Sequence, residues 1–337
     1  MDKITPLATD ERTARIAVAC IAEPGDGVTG RLLGRVGAVE TLRLVASDAT
    51  LPGRSKVESG LWRTRLAARA DAATIRSAIE AGERVDAQVL IPGDDAWPAG
   101  VTDLGDRAPY ALWVRGDTGL LTAPVPGLVA VTGTRAATSY GEHVGSALAG
   151  ELATQGRIVV AGAAYGIDGA AHRAALTADR PTVAVLAGGV DRPYPSGHRE
   201  LLARIAHSGA VISALPVGAA PTRWRFIQRG HLMAALSGAT VIVEAGFRSG
   251  SLEVARQAKQ LRRPVGAVLG PVTSAASAGA HRLLQEGIAR VVTDAADVLT
   301  LLEPPRPDSP ARTAVRDRSL PERVVPARSG RARERHL

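Results

Sequence analysis

Cysteine occurs once in these 337 residues, as Cys20, which excludes a disulfide framework and any zinc cluster built from cysteines. No apolar run approaches the roughly 20 residues that span a bilayer, and no apolar signal-peptide core opens the chain, so a cytoplasmic protein with no membrane partner is expected. Aromatic residues make up only 3% of the chain, so base-stacking platforms look scarce and any nucleic-acid contact should run mostly through phosphate. Two nucleotide-binding signatures are missing as well. There is no G-x-x-x-x-G-K-[ST] to cradle a triphosphate, and no G-x-G-x-x-G with an acidic ribose partner follows the first sheet strand. Metal ligands do not recur at ligand spacing. Asp168, Asp191 and Glu244 are spread over separate units and read as caps, turn residues or strand-end acids, so no catalytic residue, metal or cofactor is expected.

Charge is present in excess but unevenly placed. The formal net charge is +8, and the segment 303–337 holds nine arginines against five acids, about half of that excess. Net charge is therefore weak evidence for nucleic acid, and the placement of individual arginines has to carry it.

Residues 11–48 show apolar positions at helical spacing, in ERTARIAVACIA, VTGRLLGRVG and AVETLRLVAS, with glycines between them. With the helical continuation over 61–82 they predict a small helical domain over 1–82, either a packing module or a holder of nucleic-acid backbone. Val89 to Ile91 and Leu112 to Val114 read as short strands. From Gly127 the pattern becomes a repeated unit of apolar strand, glycine loop and amphipathic helix, with strands at LVAVTG, IVVAG, TVAVLAG, AVISA, TVIVEAG, VGAVLG and ARVVTD. Strands alternating with helices require right-handed parallel crossovers, so a doubly wound α/β, mostly parallel sheet is expected over 83–302. Residues 303–337 are rich in proline and arginine, lack a periodic apolar face and read as a disordered tail.

Ligands of such sheets bind beyond the carboxyl ends of the strands, where the glycine loops fall. Gly133-Thr134-Arg135 closes the first parallel strand, offering close backbone approach, a hydroxyl and a guanidinium. Gly162 closes the second, and the following helix carries Asp168 as a cap and His172, read as a structural hydrogen-bonding group. Gly188 opens a third loop that leads to Ser196, His198 and Arg199 at a helix start, where a phosphate can use both cation and helix terminus. Arg223, Arg225, Arg229 and His231 are interleaved with Trp224 and Phe226, a pattern suited to a groove that tracks a nucleic-acid backbone. Arg248, Ser249, Gly250 and Ser251 form a turn before another helix, with Ser251 able to cap it. Ser139 and Glu142 have capping-box spacing at the helix after Arg135. Each loop alone is also compatible with a solvated turn.

Taken together, VTGTRAATSYG (131–141), VVAGAAYGIDGAAHRAAL (159–176), TVAVLAGGVDRPYPSGHREL (182–201), FIQRGHLMAALS (226–237), VIVEAGFRSGSLEVA (241–255) and SAGAHRLLQEGI (277–288) resemble the DNA-processing protein A family (DprA, also called Smf). The resemblance implies an extended Rossmann-like fold, binding of single-stranded DNA, loading of a RecA-type recombinase during natural transformation, and a homodimer formed through the C-terminal part of the Rossmann region. It also implies phosphate contacts by Arg135, by the Ser196 to Arg199 turn, and by Arg229 with the Arg248 to Ser251 turn. The chain departs from the family where an F-P-x-R-N-R run is usual and Phe226-Ile227-Gln228-Arg229-Gly230-His231 stands instead. Tyr165 replaces a common arginine, Val254 a common threonine, and no winged-helix pattern follows residue 300. The rival is a phosphoribohydrolase-like nucleotide enzyme with a P-G-G-x-G-T-x-x-E turn. Its glutamate position is occupied by Val254, and Glu253 is one residue early, about 100° away on a helix.

Overall fold

A computed structural model describes residues 4–303, and the expected tail beyond Glu303 lies outside the described residues. The chain opens with α1 (Glu11–Ile21), α2 (Gly27–Ala46), α3 (Lys56–Ala67) and α4 (Ala72–Arg84). Each begins at an acidic or hydroxyl cap. Asp10 accepts from the Thr13 amide, and Ser55 and Glu58 form a reciprocal capping box. Gly37, at φ 77°, breaks α2 into the two helical runs expected from its sequence. Trp62 is buried among these helices and donates to Thr29 Oγ1 at 2.9 Å, which satisfies the indole in an apolar interior.

Among the described residues nine strands follow in one sheet: β1 (Gln88–Leu90), β2 (Leu112–Gly116), β3 (Leu128–Thr132), β4 (Ile158–Ala161), β5 (Thr182–Leu186), β6 (Ala210–Ser213), β7 (Ala239–Ile242), β8 (Val265–Val268) and β9 (Arg290–Val292). Their spatial order is β1-β2-β6-β5-β4-β3-β7-β8-β9. β2 pairs antiparallel with β1 and β6, and all other pairings are parallel. Central strands β3, β5, β6 and β7 are buried along their whole length, which is why their sequences run as mostly apolar residues with a few small hydroxyl residues rather than alternating apolar with charged.

Helices cover both faces, as the doubly wound reading expects. Val129 and Val131 face α5 (Ser139–Thr154) and α6 (Ile167–Thr177), with α7 (Arg199–Ser208) beside them. Ile212 and Ile242 face α8 (Arg223–Leu236), α9 (Ser251–Gln260) and α10 (Ala278–Gln285). Helix α11 (Ala295–Leu302), the last among the described residues, returns to the α5 side. The chain walks outward from β3 to β6, then crosses back to place β7 on the other flank of β3. Strand order therefore reverses between β3 and β7, and the crevice of such a sheet opens there.

Local starts differ from the sequence expectations in three places. Thr138, not Ser139, caps α5, with its hydroxyl accepting from Gly141 N. Gly166 is the cap residue of α6, while Asp168 is drawn inward to accept from Thr132 Oγ1 at 2.7 Å. Ser251 is the first residue of α9 rather than its cap, and Ser249 Oγ accepts from its amide at 3.4 Å. For Asp168 the competing partner, Thr132, stands 36 residues away and is invisible in a local pattern, whereas Ser251 is bonded within its own turn by Ser249.

Candidate nucleic-acid interface

At the reversal point lies a cleft of about 780 Å³ between the loops after β3, β4 and β7 and the first turns of α8 and α9. Its floor is built from backbone. Thr134 N donates to Glu244 O at 2.7 Å, tying the end of β3 to the end of β7. Buried Glu244 then reaches across and accepts from Thr138 N at 2.9 Å and Thr138 Oγ1 at 2.6 Å, which fixes the Gly133–Thr138 loop. A Cβ at Gly133 would lie 2.6 Å from Glu244 O and from Ile167 Cγ1, so only glycine allows this approach.

Four guanidinium groups line the cleft: Arg135, Arg223, Arg229 and Arg248. Arg135 is exposed and stands 4.8 Å from the Phe226 ring centroid; Arg229 lies 5.2 Å from the same centroid. Arg229 donates Nη1 to Gly162 O at 2.8 Å, and its buried Nε has no partner. Burial lowers the Arg229 pKa, Asp168 opposes that fall and Arg135 adds to it. Gly162 makes room for this side chain, since a Cβ there would sit 2.5 Å from Arg229 Cζ. Among the described residues none of the four arginines forms an ion pair with a carboxylate. Among the described residues the acids of the cleft, Asp168 at its floor and Glu253 at its wall, leave these four guanidinium groups without a direct carboxylate contact, a setting that favours a bound anion. Ser249, Gly250 and Ser251 add two hydroxyls, at 2.8 Å from each other, and the positive end of α9.

The structure brings Gly133, Thr134, Arg135, Arg223, Arg229, Arg248, Ser249, Gly250 and Ser251 to this one cleft, with Gly162 beneath Arg229. Other expected residues stand elsewhere. Residues 223–231 are helical rather than an alternating groove, so Arg225 lies about 200° around α8 from Arg223. Arg225 donates Nε and Nη2 to Glu23, both at 2.9 Å, and Nη1 to Ala220 O. Burial raises the Glu23 pKa, but hydrogen bonds and charge from Arg225 and Arg69 outweigh it and hold the carboxyl below its ordinary range. His231 is buried 3.8 Å from Glu253, and its pKa is lowered by burial, raised by Glu253 and lowered by Arg107. His198 is also buried, with Nδ1 2.9 Å from Ala163 O, and locks the third loop to the second. Ser196 on that loop and Arg199 at the start of α7 are exposed outside the cleft, and Gly188 packs against Ala219 O.

Asp168, set aside in the sequence as a cap, is a buried acid at the cleft floor. Phe226 serves as the wall that two arginines share. The i, i+3 spacing of Arg223, Phe226 and Arg229 was the available signal, legible once 223–236 is taken as helix. Among the described residues no group of three or more His, Cys, Asp or Glu is placed to hold a metal ion.

Residues 88–303 match the family model of DNA recombination-mediator protein A. A putative DNA processing protein DprA of Mycobacterium tuberculosis is 50% identical over 222 residues, covering 63% of this chain and 57% of that protein. The matched region thus spans little more than half of the mycobacterial relative. DNA processing protein DprA of Streptococcus pneumoniae is 36% identical over 214 residues, covering 62% of this chain and 72% of that protein. A solved structure of the pneumococcal protein superposes with a TM-score of 0.69 at 26% identity, covering 87% of this chain and 97% of that one. DNA processing protein A from Helicobacter pylori, solved for its single-stranded DNA binding mode, gives 0.57 at 29% identity over 64% of this chain and 95% of that one. With the sheet order, the cleft and these matches in hand, the chain belongs to the DNA recombination-mediator protein A (DprA/Smf) family.

Proposed function

We propose that this protein binds single-stranded DNA without chemical conversion, holds it by its phosphates across the β3/β7 crevice, and passes it to a RecA-type recombinase as a cytoplasmic homodimer. The observation that carries the reading is the convergence of Arg135, Arg223, Arg229 and Arg248 on one cleft with no carboxylate paired to any of them among the described residues. Guanidinium forks match phosphate oxygens in pairs, and the α9 terminus supplies backbone donors beside them. The Helicobacter relative, described for its single-stranded DNA binding mode, supports the ligand class.

A salt titration tests this. Each phosphate neutralised on a single strand contributes about 0.7 to the slope of log K against log salt. Arg135→Glu and Arg248→Glu are each expected to weaken binding of an oligothymidylate and to flatten that slope by about 0.7 or more. Unchanged affinity and slope in both variants would refute the reading. Glu253 also lines the cleft, but it is engaged by His231 and Arg256 at 3.8 Å each. Hydrolysis of a mononucleotide lost in Glu253→Gln would shift the assignment to the nucleotide enzyme.

A further inference from the structure

The scarcity of aromatic residues hides where they stand. The chain has four tyrosines and two phenylalanines. Tyr110 is buried, with its hydroxyl bonded to Glu23 O and Asp26 O. The other five each occupy the loop or first helical turn after one of five strands: Tyr140 after β3, Tyr165 after β4, Tyr194 after β5, Phe226 after β6 and Phe247 after β7. These strands are contiguous in the sheet, so the rings lie on its carboxyl-end edge, where the arginine cleft opens.

Four of the five rings are substantially exposed, Tyr140 at 41%, Tyr194 at 44%, Tyr165 at 49% and Phe247 at 61%, so core packing does not explain them. Yet each is held in place. Tyr165 meets His198 edge-on at 4.8 Å between ring centroids, Tyr194 tilts against Phe226 at 5.5 Å, and Phe247 lies under the Arg282 guanidinium at 4.8 Å. Tyr140 is anchored through its hydroxyl to Leu269 O. Rings that are fixed but open stack a planar partner at small entropic cost. Neighbouring strands are about 4.8 Å apart, so rings on successive strands follow a strand of nucleic acid laid across the edge.

We propose that Tyr165, Tyr194 and Phe247 form a base-stacking track beside the phosphate cleft, so that single-stranded DNA is held by its nucleobases as well as by its charge. This rests on the single-strand reading above and adds a ligand group to it. Phe226 already holds the Arg135 and Arg229 guanidinium groups against its ring and serves as the junction between track and cleft.

The experiment compares two probes by fluorescence anisotropy, an oligothymidylate and an abasic oligomer of the same length and charge. Tyr165→Ala, Tyr194→Ala and Phe247→Ala are each expected to weaken oligothymidylate binding about tenfold, with an unchanged salt slope and unchanged binding of the abasic oligomer. Tyr165→Phe and Tyr194→Phe should retain wild-type affinity, since the ring is kept. Equal losses on both probes would mark the rings as structural and overturn the proposal, as would no loss on either. Arg135→Glu separates the two readings, because it should weaken both probes. If it does and the ring variants do not, the track alone is wrong; if the wild-type protein binds neither probe, both readings fall.

Discussion

At the scale of single residues, the cleft depends on glycines that make room for particular atoms. Gly162→Ala sets a methyl group against the far end of the Arg229 side chain, whereas Gly133→Ala sets one against the backbone of Glu244 and against Ile167. The first substitution should therefore displace the guanidinium, costing at least severalfold in single-strand affinity while the denaturation midpoint barely moves. The second should destabilise the fold by about 1–3 kcal/mol, because backbone and core cannot yield. Denaturant titrations beside binding isotherms check the pair, and the same stability loss in both would undo the distinction.

His172 permits a prediction with a definite sign. It is fully buried, its Nδ1 lies 2.9 Å from Thr182 Oγ1, and burial pushes its pKa down to about 3. The folded state holds it neutral while the unfolded chain protonates near the ordinary value of about 6.5. Its contribution is thus complete above that value and is lost as pH falls toward about 3, at up to about 1.4 kcal/mol per pH unit. A His172→Asn variant should show a shallower decline in stability between about pH 6.5 and 4. Parallel declines in variant and wild type would show that His172 is not the source.

Among the elements, α8 does two jobs on two faces. Arg223, Phe226 and Arg229 line the cleft, while Arg225 reaches back to Glu23 between α1 and α2, beside Arg69. Trp224 sits on that second side too, donating to Pro24 O at 3.2 Å. Arg225→Ala is expected to cost about 1–3 kcal/mol of stability, since Glu23 loses a paired, partly buried cation. It should leave the salt slope of DNA binding unchanged, the opposite of Arg135→Glu. A slope that falls by about 0.7 in Arg225→Ala would instead make that arginine a phosphate contact.

This helix also shows what the sequence could and could not reveal. Apolar runs such as LVAVTG and TVIVEAG marked strands, and their alternation with helices implied the doubly wound sheet that the structure contains. The loops after β3 and β7 were legible because glycine, hydroxyl and arginine cluster there. The segment 223–231 was harder to place, because R-W-R-F alternates charge and ring as an extended segment would, while its helical period shows only over the full fourteen residues. The ion pair that removes Arg225 from the cleft joins positions 202 residues apart, and no local pattern carries such a partner. Composition misled in a different way: a 3% aromatic content counts rings but does not locate them.

For the molecule as a whole, the reversal of strand order between β3 and β7 decides where a ligand can lie. The cleft exists only when both flanks of β3 are in place, and its two walls are joined by Glu244 and Thr138, 106 positions apart. Ligand binding should therefore stabilise the entire α/β sheet rather than one loop. At a hundredfold excess over its dissociation constant, an oligothymidylate is expected to add about 2.7 kcal/mol to the unfolding free energy. Thermal denaturation with and without the oligomer checks this, and the gain should disappear at high salt.

The Glu244 tie has one more outcome. A protease that nicks the backbone anywhere between those two loops leaves each fragment with half a jaw, so a severed chain can hold its cargo only while the halves remain clasped. Loaded protein should accordingly resist trypsin at the arginines of the two loops, and the cut sites that open first on unloading would mark the segments that the bound strand shields.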